Sequence, residues 1–204
     1  GDDVALSNTN RQLPAFEGAY GRAKAEVLRE RCLLINPDCR IEVKTVFVTP
    51  ENAAQVIPSD CDWLVDCIDD LKGKAALHAA ARGTGVRTVC AGGAGARIDP
   101  SRIEVSDLAR VKGDPLLGKL RTILRKEYGF PAGSADGRST LFGIPAVYST
   151  EPLRQSGADS LEAIGAEPGS RIGFGSFVSV TGSAGLRLAG IVINDIAGAQ
   201  NTAD

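Results

Sequence analysis

The sequence predicts an α/β fold built on a mostly parallel sheet. Short apolar strand patterns alternate with helical ones along the first half of the chain, the mark of parallel strands joined by crossover helices. One of these patterns, Asp62–Asp69, closes on carboxylates, as strands do where a sheet ends in a binding crevice. The chain has 204 residues, 43% of them hydrophobic, enough to bury a core without disulfide or metal staples. That length implies one domain, or one domain with a lobe attached. Residues 1–100 read as an α/β unit, 101–197 as an α+β extension of the same domain, and 198–204 as a flexible tail.

The elements follow in order. Gly1–Leu6 reads as the end of a buried strand running into a loop. A helical pattern covers about Gly21 to Ile35, with Ala25, Leu28, Cys32 and Ile35 as its apolar stripe and Asn36-Pro37 as its stop. Ile41, Val43, Thr45, Phe47 and Thr49 alternate with other residues and predict a strand. The Asp62–Asp69 strand leads into a helix over Lys72–Arg82, a strand over Val86–Cys90, and the loop Ala91-Gly92-Gly93-Ala94-Gly95. Beyond Arg102 come a strand at Ile103–Val105, a helix from about Pro115 to Tyr128, and a glycine-rich loop, Gly129–Gly137. A strand at Ile144–Ser149 and an apolar helix at Phe177–Ile196 complete the series. Gly165–Gly169 and the tail from Gly198 are expected to be mobile.

Composition narrows the function classes. The net charge is −2, so the chain as a whole is not a polybasic nucleic-acid binder, although a local basic face is allowed. Glycine, 24 of 204 residues, exceeds the ordinary ~7% and implies many tight turns. Cys32, Cys39, Cys61, Cys67 and Cys90 are odd in number and form no C-x-x-C pair. That pattern excludes a disulfide framework and a four-cysteine zinc site, and predicts buried, reduced thiols in a cytoplasmic protein. No signal peptide opens the chain. The stretch Gly173–Leu186 falls short of the ~20 residues a membrane span needs, so it predicts a buried helix. Methionine is absent and the chain starts on what reads as a strand end, so an N-terminal element is expected to precede it.

Three patches carry chemistry: Asp2 to Gln12, Lys24, and Asp66-Cys67-Ile68-Asp69 at a strand end. A guanidinium (Arg11) and an ammonium (Lys24) suit polyphosphate, and a carboxylate such as Asp69 suits Mg²⁺. Each has a plainer meaning alone. Arg11 and Lys24 could be solvated surface charges, and Asp69 could cap the helix that begins near Lys72. His78, the only histidine, reads as structural, and Cys67 as a strand core residue rather than a nucleophile. Between Arg110 and Lys126 six cations accompany Asp114 alone; a solvated face is the plain reading and contact with nucleic-acid phosphate the other. Gly182, Gly185 and Gly190 within the last helix predict close helix packing.

In this order the patches resemble the ubiquitin-activating-enzyme superfamily, whose ThiF and MoeB members adenylate a carboxylate. The resemblance rests on Asp-x-x-x-x-Ser-Asn-x-Asn-Arg-Gln from Asp2 to Gln12, on Lys24 thirteen residues after Arg11, and on Asp-x-x-Asp from Asp66 to Asp69. Further segments look like the tRNA threonylcarbamoyladenosine dehydratases. They are Asn10–Ala15, Lys24–Val27, Ile35–Cys39, Phe47–Asn52, Gly92–Pro100, Asp107–Ala109, Asp114–Leu116 and Tyr148–Glu151. The resemblance runs to about Gly190, and the lack of the paired C-x-x-C motifs common in ThiF and MoeB supports the dehydratase branch.

The resemblance implies a Rossmann-like adenylation fold and an ATP-dependent cyclisation, with net loss of water, of the threonylcarbamoyl group on a tRNA adenosine. It places ATP against Arg11 and Lys24, with Asn8 and Gln12 lining the pocket, and Mg²⁺ at Asp69 with help from Asp2. It also implies a tRNA partner, a homodimer to which the last helix contributes, and no membrane span. The alternatives are a truncated non-catalytic module of the same superfamily, or an activator of a small ubiquitin-like sulfur-carrier protein. The family's glycine-rich phosphate loop and ribose-binding aspartate would lie upstream of Gly1, so this stretch alone is expected to bind ATP poorly and to be inactive. Gly92–Gly95 is not that loop; it follows a later strand, and close backbone packing explains it. Some family members carry a cysteine shortly before a Gly-Phe-Gly, where this chain reads Gly169–Gly175 without one.

Overall fold

The computed structural model describes residues 1–133, 140–153 and 175–198. Four strands form one sheet: β1 (Trp63–Asp66), β2 (Arg87–Ala91), β3 (Ile103–Asp107) and β4 (Pro145–Ser149). The order is β1-β2-β4-β3. The β1–β2 and β2–β4 pairs are parallel, whereas β3 runs antiparallel to β4 at the far edge. The mostly parallel sheet expected from the strand–helix alternation is therefore present. Helices α1 (Lys24–Ile35), α2 (Ala53–Val56), α3 (Leu71–Thr84), α4 (Pro115–Glu127) and α5 (Val178–Ile196) surround it.

Strand alternation decides which helix covers which face. Cys90, Ala146 and Tyr148 point to one side, where they pack with Ala75 of α3 and with Leu117, Leu120 and Leu124 of α4. Val89 and Val147 point to the other, against Leu188 of α5. Each helix boundary has a local cause. Asp70 caps α3 by accepting from the Gly73 N–H at 2.7 Å, and Gly85 ends it at φ 76°, a left-handed conformation that glycine adopts without a Cβ penalty. Asp114 caps α4 at the Leu117 N–H, with Pro115 at the first helical position.

Several sequence expectations are corrected. Residues 41–49 form no strand: the Val46 carbonyl accepts from the Gly1 amine, and the Asn52 side chain takes up the Phe47 carbonyl and the Thr49 N–H. Backbone groups engaged in this way do not build a ladder. The α1 stripe is not buried; Val27 is the buried residue of that helix, while Leu28 and Ile35 are exposed. Helix α5 is half-buried rather than buried, because only one side meets the sheet; Leu186 and Ile193 face outward. Its glycines make no close packing with the described residues, since a Cβ at Gly182, Gly185 or Gly190 would meet none of them within 4 Å. Of the five thiols Cys90 alone is buried, and burial pushes it up to about 12. Cys67 lies exposed just past the end of β1 and is not a core residue. Gly165–Gly169, most of Gly169–Gly175 and the tail beyond Gly198 lie outside the described residues.

Candidate functional site

The first patch is built by a short antiparallel contact. Val4 and Arg22 share a backbone hydrogen bond of 2.8 Å, Gly21 donates to the Val4 carbonyl at 2.8 Å, and Lys24 N–H donates to the Asp2 carbonyl at 3.0 Å. This pairing brings residue 2 to the first turn of α1. There the Lys24 ammonium forms an ion pair with the Asp2 carboxylate and holds its pKa below the usual range, in the face of a smaller opposing effect of burial. The chain then makes a 3₁₀ turn at Leu6–Asn8. Asn8 is buried, and its Oδ1 accepts from the Ala5 N–H at 3.1 Å, so this side chain secures the turn. Arg11 follows, its Nη1 donating to the Ser7 carbonyl at 2.9 Å and to Asn10 Oδ1 at 3.0 Å. Gln12 is half-buried and its side chain makes no hydrogen bond with a described residue. Arg11 is therefore aimed by uncharged acceptors, with no carboxylate neutralising it among the described residues.

The second patch is the corner between β1 and α3. Asp70, not Asp69, caps α3, which corrects the plainer expectation for Asp69. Asp69 is exposed and has no hydrogen bond or ion pair with a described residue. What shapes the corner is a buried cluster that sequence reasoning missed. The Asp66 carboxylate takes Lys74 Nζ at 2.9 Å and His78 Nε2 at 2.9 Å, while its Oδ1 accepts from the Ile68 N–H at 2.9 Å. Lys74 also donates to the Ile68 carbonyl at 3.0 Å, and His78 Nδ1 faces Thr88 Oγ1 at 3.3 Å. Burial alone would raise the Asp66 pKa; hydrogen bonding from His78 and the Lys74 charge outweigh it and hold the carboxyl low. The loop that presents Asp69 is thus clamped on the Asp66 and Ile68 backbone. His78 is structural, as expected. Segment 46–48 links the two patches, since Val46 touches Gly1 and the Val48 carbonyl lies against Gly73, where a Cβ would meet it at 2.5 Å.

A third cluster lies beyond β2. The fully buried Arg97 guanidinium pairs with Asp114 at 3.0 Å and donates to the carbonyls of Gly93 and Gly113 (Nη2, 3.2 Å). Asp114 also accepts from the Gly93 N–H at 3.0 Å, and Glu151 accepts from the Ile98 and Asp99 N–H groups at 2.8 Å each. Gly92 is required by this closeness: a Cβ there would lie 2.5 Å from Asp114 Oδ2. Asp107 does similar work, accepting from Ala109, Phe142, Gly143 and Ile144. The segments around 92–100, 107–109, 114–116 and 148–151 therefore converge as backbone-fixing knots. Asn10 reaches the same neighbourhood, donating to the Ser176 carbonyl at 2.9 Å, one residue from the Gly175 carbonyl that accepts from Ala96 N–H.

No three His, Cys, Asp or Glu residues gather to hold a metal among the described residues. A cavity of about 700 Å³ between β3 and α5 is lined by none of Arg11, Lys24 and Asp69. No described helix is long and apolar enough to cross a membrane.

A mostly parallel α/β sheet covered by helices on both faces places the protein in the Rossmann-like α/β class. Residues 1–113 match the ThiF family, and the chain belongs to it. Within that family it is similar to the tRNA threonylcarbamoyladenosine dehydratases of Haemophilus influenzae (41% identity) and Escherichia coli (45%). Each match covers 152 residues, 74% of this chain and 57% or 55% of the relative. The chain thus spans little more than half the length of these curated relatives. The solved structure of the Escherichia coli enzyme, TcdA, superposes with a TM-score of 0.80 at 37% identity, covering 97% of this chain and 73% of that one. The same enzyme solved in complex with ATP gives 0.77 at 38% identity, covering 99% and 75%.

Proposed function

We propose that the whole protein is an ATP-dependent tRNA threonylcarbamoyladenosine dehydratase, with Arg11, Lys24 and Asp69 serving the adenylation step. The observation that carries this reading lies in the segment from Asp2 to Lys24: Arg11 is aimed by neutral acceptors and so open to phosphate, and Lys24 is held beside Asp2. The similarity to an enzyme solved with ATP supports it. In the reaction, the threonyl carboxylate of the modified adenosine attacks the α-phosphorus of ATP and pyrophosphate leaves. A nitrogen of the same group then attacks the activated carbonyl, the ring closes, and AMP departs with the oxygen that amounts to lost water. Arg11 and Lys24 stabilise the negative charge gathering on the phosphates, where preorganised donors act most strongly. Asn8 and Gln12 border that pocket, Asn8 chiefly by fixing the turn. Asp69, its loop fixed by the Asp66–Lys74 clamp, would hold Mg²⁺, which would supply charge neutralisation to the phosphates, and Asp2 would contribute by holding Lys24 or the metal. We place the protein in the cytoplasm as a homodimer, with exposed Leu186 and Ile193 of α5 as contributors to the contact; a sulfur-transfer protein is a further partner to test.

The test is incubation of threonylcarbamoyladenosine-bearing tRNA with the whole protein and ATP, followed by mass analysis of the nucleosides. A product lighter by one water, with AMP formed in step, is expected; unchanged nucleoside contradicts the reading. Asp69→Asn should shift the Mg²⁺ titration of this activity to higher concentration, because one hard anionic ligand becomes a neutral amide. Overlaid titration curves would remove Asp69 from the site.

A further inference from the structure

The two exposed helices that carry several cations differ in how those charges are balanced. On α1, Arg29 and Arg31 alternate with Glu26 and Glu30, and Glu30 also binds Arg22. On α4 and the loop before it, Arg110, Lys112, Lys119 and Lys126 are exposed and have no carboxylate partner among the described residues. Asp114, the carboxylate nearest them in sequence, is buried and committed to Arg97 and to the helix cap. Arg121 donates to the carbonyls of Leu108 and Val111, which brings the loop bearing Arg110 and Lys112 against the side of α4. At the other end Arg82 and Arg125 donate to the carbonyls of Gly129 and Pro131, and neither has a carboxylate partner among the described residues. Glu127 is the one exposed acid of the helix. In a chain of net charge −2, that is a segregation of charge, not an average surface.

The position of this face gives it meaning. Leu117, Leu120 and Leu124 bury the inner side of α4, which leaves Pro115, Lys119, Thr122 and Lys126 on the outer side at helical spacing. Lys119 and Lys126 stand roughly 10 Å apart along the axis. A shallow groove of about 490 Å³ runs beside them, floored by Leu71, Pro115, Gly118, Thr122 and Ile123. Leu71 is two residues from Asp69, so the groove opens at the corner where the reacting phosphates are placed. No aromatic residue lines it, so it offers no stacking platform for an unstacked base.

We propose that the outer face of α4, through Lys112, Lys119 and Lys126, docks the phosphate backbone of the tRNA and sets the modified adenosine toward the Asp69 corner. This inference rests on the dehydratase reading. Cations without counter-carboxylates and without stacking partners position nucleic acid by its backbone, independent of sequence. The affinity they supply comes from released counterions and falls steeply with salt.

The test is tRNA binding by the whole protein across a KCl series, read by fluorescence anisotropy. It compares wild type, the triple variant Lys112→Ala/Lys119→Ala/Lys126→Ala, and the charge control Arg29→Ala/Arg31→Ala. At about 100 mM KCl the triple variant should bind at least tenfold more weakly, and its log–log salt slope should flatten by roughly 0.7–0.9 for each phosphate no longer neutralised. The control should track wild type, and all three proteins should bind ATP equally by calorimetry. Equal tRNA affinity and slope for the triple variant and wild type overturns the proposal, as does an equal loss in the control. A wild type that binds ATP but no tRNA overturns it as well, and retains only the nucleotide-activating reading. A wild type that binds tRNA in this way but no ATP leaves the docking face standing and rejects the dehydratase reading.

Discussion

The Arg97 knot and the Arg11–Lys24 shell both gather charge, yet they are built in opposite ways. Arg97 is fully buried, paired with Asp114 and hydrogen-bonded to several carbonyls, so its charge is fully engaged by the fold. Arg11 is partly exposed and contacts two uncharged oxygens, on Ser7 and Asn10, and Lys24 keeps a fifth of its side-chain surface open beside Asp2. Charge that a fold needs for itself is enclosed and saturated. Charge reserved for a ligand is aimed and left partly unsatisfied. The Asp66–Lys74–His78 cluster belongs to the first kind, and we propose that Asp69, three residues along and exposed, belongs to the second.

Substitutions separate the two kinds. The largest loss of stability is expected from Arg97→Ala, which strands the buried Asp114 carboxylate and costs about 3–5 kcal/mol. A urea midpoint close to that of the wild type would show the knot to be dispensable. Arg11→Ala and Lys24→Ala should do the reverse: unfolding shifts by less than about 1 kcal/mol, as for exposed pairs. Dehydration rates should meanwhile fall by roughly 10²–10³, as when one preorganised donor is removed. Unfolding losses comparable to that of Arg97→Ala would collapse the distinction. Gly92→Ala drives a methyl into the Asp114 carboxylate and should cost about 1–3 kcal/mol in thermal or urea unfolding.

The smallest effect sharpens the buried side through pH. The folded Asp66 pKa lies below its unfolded value, so its contribution is fully present above the unfolded pKa, near ~3.9, and is lost as pH falls through the lower folded value. Stability of the wild type should therefore decline in acid over that window, and Lys74→Met should show a shallower decline there. Parallel acid profiles for the two proteins would detach Lys74 from the Asp66 carboxylate.

Much of this was legible in the sequence where local rules suffice. The strand–helix alternation from Asp62 to Cys90, the Asp114-Pro115 start of α4 and the last helix all formed within a residue or three of where pattern placed them. The failures are the cases in which tertiary partners decide. Residues 41–49 alternate well but find no ladder, because side-chain and terminal groups occupy their backbone. The α5 glycines meet no described residue because a single side of that helix meets the sheet. In the site, spacing pointed to Arg11, Lys24 and Asp69, whereas Lys74 was hidden among alanines and its partner Asp66 read as a strand end. A buried lysine one turn into a helix that follows a carboxylate-ended strand is the signal that could have found the clamp. Arg97 had a similar signal, lying in the Gly92–Pro100 segment whose other residues are mostly small or apolar.

The central proposal is that aimed but unsaturated charge, Arg11 above all, serves the activation of a carboxylate with ATP. The direct measurement is single-turnover conversion of threonylcarbamoyladenosine in tRNA by the whole protein, for wild type and Arg11→Ala, with AMP release followed in the same reaction. Wild type should release AMP in step with a nucleoside lighter by one water, and Arg11→Ala should lose both together while its unfolding curve stays put. AMP release and conversion at the wild-type rate in Arg11→Ala would contradict the account.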